Sequence, residues 1–434
     1  MMLPLLLVTT LVLLAQTTTG QGARPDLEAQ IAAVEPHMIG WRRHLHQHPE
    51  LSNREAETAR YVADALRTLG LEPRTGVAGH GVVAVLRGGS AGPVVALRAD
   101  MDGLPVTEET DLPFASRATG EYDGRQVGVM HACGHDTHMA MLIATARVLT
   151  GMKEQLPGSV VFIFQPAEEG VPIEEQPAGA QLMVSEGVLR DPEVDAIFGL
   201  HVFANIPAGH IAWRSGAMMA ASDRYEILVR GRQTHGATPW QGVDPIVIGA
   251  QIVSALQTIV SRQVDITLQP AIVTVGQFQA GVRNNIIPDS ARLVGTIRTF
   301  DAEMRRDIHA RVQRTAGGIA EAAGGTAEVT IEGGYPVTSN DPDLTARMLP
   351  TLRRVLGDRV QEGSKITGAE DFSYFQQQVP GLFLLLGITP EKEVGRAAHN
   401  HSPRFTVDEG ALLNGVRTLV HLTLDYMEGS PGAR

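Results

Sequence analysis

Met130-His131-Ala132-Cys133-Gly134-His135-Asp136-Thr137-His138 holds the only cysteine in 434 residues, three of the fifteen histidines and an aspartate. A lone cysteine is commonly a small buried hydrophobe. This one stands between two histidines and beside a glycine, which lets the backbone pack closely. Thiol and imidazole at this density read first as a metal site with Cys133 as a ligand. A structural cysteine and a catalytic Cys/His pair are the alternatives.

Working outward, Met139, Leu142, Ile143, Ala146 and Leu149 give the next segment the apolar face of a helix. Upstream, the apolar strand 94–97 runs into Arg98-Ala99-Asp100-Met101-Asp102-Gly103-Leu104-Pro105. Carboxylates just past a buried strand lie where α/β sheets place chemistry, so Asp102 is a candidate to orient a ligand from behind. The competing reading is a loop with turn-forming aspartates. Downstream, the strand 160–164 ends in Gln165-Pro166-Ala167-Glu168-Glu169-Gly170. Of two adjacent carboxylates at a strand end, one can bind a metal while its neighbour takes a proton. Spacing does not say which is which. Glu174-Glu175, in the Pro-flanked loop 171–178, reads as solvated. His201 follows the strand 196–200 directly. His44, His46 and His48 alternate within a helix expected over 26–51; i and i+2 do not share a helix face, so they read as structural.

The length predicts two domains. With 43% hydrophobic and 19% charged residues the chain is globular, and a net charge of -12 argues against tracking nucleic acid. An apolar run over 3–15, followed by small and polar residues, predicts a signal peptide over 1–20 and an exported protein. That run is too short for a comfortable membrane span, and no other stretch is expected to cross a bilayer. Between 217 and 333 the pattern changes to strand (225–229), helix (244–262), strands (272–278 and 291–299), helix (301–323) and strand (326–332). This is the order of a ferredoxin-like α+β module, inserted into a first domain made of 21–216 and 334–434. Its polar loops carry His235 and Asn285. The first domain resumes with Gly368-Ala369-Glu370-Asp371-Phe372, a strand at 382–386, His399-Asn400-His401-Ser402-Pro403 and a closing helix.

In their joint order these segments, with Gly199-Leu200-His201 and Gly295-Thr296-Ile297-Arg298-Thr299-Phe300, resemble the cysteine-containing branch of the two-metal aminoacylase and carboxypeptidase amidohydrolases. Hippurate hydrolases and auxin-amino-acid conjugate hydrolases belong there. The resemblance spans about 27–427. It implies an α/β, zinc-peptidase-like catalytic domain: a mixed sheet with helices on both faces, plus the inserted lid and dimerisation domain. It implies two divalent cations per subunit, zinc or manganese, with Cys133 as the bridging thiolate and His135, Glu169, His201 and His401 completing the two shells. Glu168 becomes the general base and then acid. His235 polarises the scissile carbonyl, reaching the neighbouring subunit of a homodimer, and Asn285 and Arg298 bind the free carboxylate of the amino-acid half. Asp102 and Asp136 support the ligands, Asp136 either orienting one or capping the helix that follows. The loop after Gly170 departs from the family in length and in its prolines and acids. The expected reaction is hydrolysis of N-acyl amino acids by a secreted enzyme without a stable membrane anchor. Dipeptidase or carboxypeptidase action competes with it, as does a non-catalytic binding protein of the same fold.

Overall fold

The computed structural model describes residues 25–429, so the expected signal peptide lies outside the described residues. Two helices open the chain, α1 (Pro25–Gln47) and α2 (Ala56–Thr68). Leu27, Ile31, Val34, Met38 and Leu45 recur at helical spacing on α1 and are buried. α1 ends short of residue 51 because Pro49 disfavours helical backbone at His48. Strands β1 (Arg74–Val77), β2 (Gly81–Arg87) and β3 (Ser90–Asp100) follow, then α3 (His135–Gly151), β4 (Pro157–Gln165), β5 (Ala196–Pro207) and the short β6 (Ile211–Trp213).

Next come β7 (Ala221–Arg230), α4 (Pro245–Thr258), β8 (Ala271–Ala280), β9 (Ser290–Thr299), α5 (Ala302–Ala322) and β10 (Thr326–Gly333). They form a separate antiparallel sheet in the order β8-β9-β7-β10, the strand order of a ferredoxin-like unit. Its apolar core is its own, with Tyr225, Ile227, Ile252, Leu256, Leu293 and Val312 at the centre. Asp244 and Asp301 cap its helices, each accepting from two backbone N–H groups. α4 continues as a π-helical turn, Ile259–Gln263. By length and composition the joined segment Pro245–Gln263 is apolar enough to cross a membrane, contrary to the sequence expectation. Here Ile248, Ile252, Leu256 and Ile259 bury its inner face on the small sheet. Met218 and Met219 pack with the main body, so the chain crosses over at 220–221 and returns at 333–336.

The main body is completed by α6 (Pro342–Leu356), β11 (Val360–Glu362), β12 (Gly381–Thr389) and α7 (Leu412–Met427). Its eight-stranded sheet has the order β1-β2-β4-β3-β5-β12-β6-β11. The central β4, β3, β5 and β12 are parallel, while β2 and β6 run antiparallel to their inner neighbours. Every residue of β12 is buried, as expected for a parallel strand covered on both faces. The covers are unequal. α1, α2, α3, α6 and α7 pack on one face. Phe372, Phe375 and the short helices Gly179–Ser185 and Ser373–Gln376 cover the other.

Parallel pairing brings the ends of β3 and β4 level, with Asp100 opposite Gln165. Arg98 and Asp100 share a strand face at i, i+2. The fully buried Arg98 guanidinium donates to Asp100 at 2.7 Å, Glu370 at 2.9 Å, Asp371 at 2.9 Å and Gln165 at 2.8 Å. It ties the strand ends to the loop before Ser373. Arg98→Met is therefore expected to lower stability by about 3–5 kcal/mol, because the carboxylates stay buried without their partner. Chemical denaturation checks this, and a loss below about 1 kcal/mol would contradict it.

Candidate metal centre

The quoted cysteine stretch leaves Met130 as a tight turn and enters α3. Gly134 has φ 94°, and a Cβ there would stand 2.3 Å from Val202, so only glycine fits. This turn aims Cys133 and His135 at one point above the parallel strands. Cys133 Sγ lies 3.4 Å from His201 Nε2 and 3.2 Å from His401 Nε2. Glu169 Oε1 lies 3.2 Å from His401 Nε2 and 3.9 Å from His135 Nε2. Glu168 Oε2 is also 3.9 Å from His135 Nε2. Glu169 thus belongs to two donor groups, one with Cys133 and His401, the other with His135 and Glu168.

Two imidazoles are oriented with Nε2 toward the site. His201 Nδ1 donates to Val202 O at 2.8 Å and His135 Nδ1 to Asp102 at 3.2 Å, which fixes the ring directions. Asp102 is fixed in turn by Ser52 Oγ at 2.7 Å and by the Glu169 N–H at 2.9 Å. His135 Nε2 is buried with no hydrogen-bond partner. An orphaned imidazole nitrogen and a carboxylate shared between two donor groups, beside a thiol, fit divalent cations.

Charge supports the same reading. Burial, with Glu169 and Glu168 nearby, pushes the Cys133 thiol well above its ordinary value. A nucleophilic cysteine needs the opposite shift. Burial also works against charge on His135, yet Asp100, Asp102 and Glu169 outweigh it and raise that group to about 10. Burial drives His201 well below its usual range. Burial and the surrounding carboxylates push Glu168 well above the carboxylate range.

Two backbone positions carry strain. Ala167 has φ 54° and His401 φ 72°, left-handed for L-residues. Asn400 steadies the second, donating to Cys133 O at 3.2 Å and Val202 O at 3.0 Å and accepting from the Ala204 N–H at 3.1 Å.

Several sequence readings need correction. His201 sits inside the 12-residue β5, not just after it, because the strand continues to pair Phe203 with Gly387. Asp136 orients no ligand. Its carboxylate accepts from Arg42 Nε at 2.8 Å and His46 Nδ1 at 2.9 Å, so it anchors α3 to α1. The Glu175 carboxylate is clamped by Arg54 at 2.7 Å and Asn53 at 3.0 Å, which fastens the departing loop to the start of α2. Asp100, Glu55 and Glu370 carried no role in the sequence reading, and His138 was expected only to support a ligand or the structure. Asp100 accepts from His138 Nδ1 at 2.5 Å, and His138 Nε2 accepts from the Val202 N–H at 2.9 Å. The i, i+2 spacing of Arg98 and Asp100 was the signal available for this network.

The inserted unit's candidates stand apart. His235 and Asn285 are exposed neighbours on a two-stranded ribbon, where Gly236 N donates to Asn285 O at 2.9 Å. The ribbon joins the sheet at its Arg230–Ser290 end, whereas Arg298 pairs with Ser222 at the other. Eight residues of strand from Ser290 to Arg298 span about 26 Å. Arg298 donates to Thr296 Oγ1 at 2.7 Å and lines a cavity of about 670 Å³ with Val171 and Gln176.

Thiol, imidazole and carboxylate donors over the ends of parallel strands, with a second carboxylate beside them, define the class: a metal-dependent hydrolase. The chain belongs to peptidase family M20/M25/M40, whose model matches residues 96–425. Thermostable carboxypeptidase 1 of Saccharolobus solfataricus is 40% identical over 400 residues, 92% of this chain and 97% of its own. N-acetylcysteine deacetylase of Bacillus subtilis is 38% identical over 400 residues, 91% of this chain and 98% of its own. Among solved structures, the YXEP protein of Bacillus subtilis, a dinuclear metal binding peptidase from the M20 family, matches with a TM-score of 0.77 and 36% identity, covering 92% of this chain and 99% of that one. The protein is thus an enzyme of this family, acting on amide bonds with metal.

Asp102→Asn is expected to weaken cation binding by about 10- to 100-fold, because His135 loses the carboxylate that orients it. Since His135 and Cys133 both hold protons tightly without a cation, binding must release them, and affinity should rise with pH between about 6 and 9. Equilibrium dialysis with elemental analysis measures both; a flat pH profile would contradict the ligand set.

Proposed function

We propose that the protein hydrolyses the amide bond of N-acyl amino acids. Cys133, His135, Glu169, His201 and His401 are the ligands in this reading. The observation that carries it is the convergence of two donor groups that share Glu169, one with Cys133 and His401 and one with His135 and Glu168, where His135 Nε2 is buried without a hydrogen-bond partner. When bound, two divalent cations, zinc or manganese by the mixed thiolate, imidazole and carboxylate set, supply Lewis acidity for acyl transfer to water.

Glu168 takes the proton of the attacking water at its carboxylate and hands it to the leaving nitrogen. Its Oε2 stands 3.9 Å from His135 Nε2, beside the candidate ligands, a position that suits both halves of that transfer. Arg298 receives the free carboxylate of the amino-acid half in its own subunit, and Asn285, beside His235 at the far end of the sheet, joins it from a partner subunit. His235 donates to the developing oxyanion, a contact typically worth about 3–4 kcal/mol. Its ribbon stands at the far end of the small sheet, which favours action on a partner subunit's centre, with the inserted unit as lid and dimerisation surface. Exposed Trp240, Ile246, Val247, Ile272, Phe278 and Val282 on that unit support a homodimer. Export rests on the N-terminal apolar run alone, and N-terminal sequencing of the mature protein tests it.

The relatives support two substrate classes. The deacetylase relative favours N-acyl amino acids, and the carboxypeptidase relative favours short peptides. Release of free amino acid from N-acetyl, N-benzoyl and indole-acetyl conjugates, set against dipeptides, separates them. Glu168→Gln should keep its cations and lose at least about 10²-fold in turnover; wild-type turnover would remove Glu168 from the role. Mixing His235→Ala with Glu168→Gln subunits should restore part of the activity. Verified heterodimers with none would place His235 in its own subunit's site.

A further inference from the structure

The turn that carries Glu168 is held by three different side chains at two of its peptide groups. Glu55, fully buried, accepts from the Ala167 N–H at 2.7 Å. Asp102 accepts from the Glu169 N–H at 2.9 Å. On the other edge of that same 168–169 peptide the Tyr335 hydroxyl donates to the Glu168 carbonyl oxygen at 2.6 Å. The turn needs such support because Ala167 and Gly170 both have positive φ, 54° and 91°.

Glu55 and Asp102 belong to the main body, but Tyr335 does not sit squarely in it. It lies on the return crossing from the inserted unit, directly after Gly333 and Gly334. The two crossings are packed back to back. Ser222 N donates to Tyr335 O at 3.0 Å, and a Cβ on Gly334 would meet Ser222 O at 2.4 Å. The ring of Tyr335 is braced edge-on by Tyr374, with centroids 6.2 Å apart and an interplanar angle of 78°. Tyr335 therefore joins the inserted unit's attachment to one of the two peptides that flank the Glu168 side chain, the one Asp102 holds from its N–H edge.

We propose that Tyr335 is a positioning residue for Glu168, acting through that peptide carbonyl without touching the carboxylate. This rests on the reading of Glu168 as general base. A shift at the crossing moves the hydroxyl and turns the base away from the attacking water.

The test is a double-mutant cycle with Tyr335→Phe and Glu168→Gln, followed by kcat, KM, cation content and thermal unfolding. Tyr335→Phe alone should lower kcat about tenfold with KM and cation content unchanged. In the Glu168→Gln background, assayed at high enzyme concentration, it should have almost no further effect, since the group it positions is gone. Tyr374→Phe is the control for general loosening and should leave kcat unchanged. No loss with Tyr335→Phe, or the same loss in both backgrounds, overturns the proposal while leaving Glu168 as base. Wild-type turnover in Glu168→Gln removes the base assignment itself and takes this inference with it.

Discussion

Buried negative charge is the constraint on which the site depends. Asp100, Asp102, Glu168, Glu370 and Asp371 are buried over the strand ends, with Glu55 close behind and Glu169 at the opening. Arg98 is the one guanidinium hydrogen-bonded among them within the described residues. The imbalance shows in part of this set. Burial and neighbouring carboxylates raise Glu370 and Glu55 to about 8 and Asp371 to about 6, whereas Asp100 and Asp102, beside His135, are lowered against the effect of burial. Divalent cations at the candidate ligands would supply the compensating charge.

The fold meets this demand by geometry. Parallel pairing sets the ends of β3, β4 and β5 side by side, and the tight turn at Gly134 aims Cys133 and His135 above them. The loop after β12 returns His401 to Cys133, with Asn400 as its fastening. Strain at Ala167 and His401 falls on the two segments that carry candidate acid-base and ligand groups, where the surrounding hydrogen bonds hold it in place.

Much of this was legible in the sequence, for a local reason. Cys133 stood out by the density of thiol and imidazole around it, and Asp102 and the pair Glu168-Glu169 by their places just past strongly apolar strands, whereas the choice among the glutamates and histidines came from family resemblance. The inserted unit was legible because its helices have long apolar faces and its strands alternate. What escaped was long-range or short. Arg98 meets Glu370 across 272 residues, and only the pairing of distant strands puts them together. β6 and β11 have three residues each, too few for any periodicity to register. Asp136 looked like a ligand's support because it follows His135, but the first turn of α3 swings it to the Arg42 side. His235 was reached through family resemblance, and its distance from Arg298 along the sheet shows why no local pattern reveals it.

The central claim is that two cations are held between Cys133, Glu169 and the three imidazoles. Anomalous scattering from crystals of the protein grown with manganese or zinc tests it most directly. The account predicts two anomalous peaks, each within about 2.0–2.3 Å of its donor atoms, with Cys133 between them. A single peak placed at Asp100 and His138, or full turnover in crystals and solution free of any peak, would contradict it.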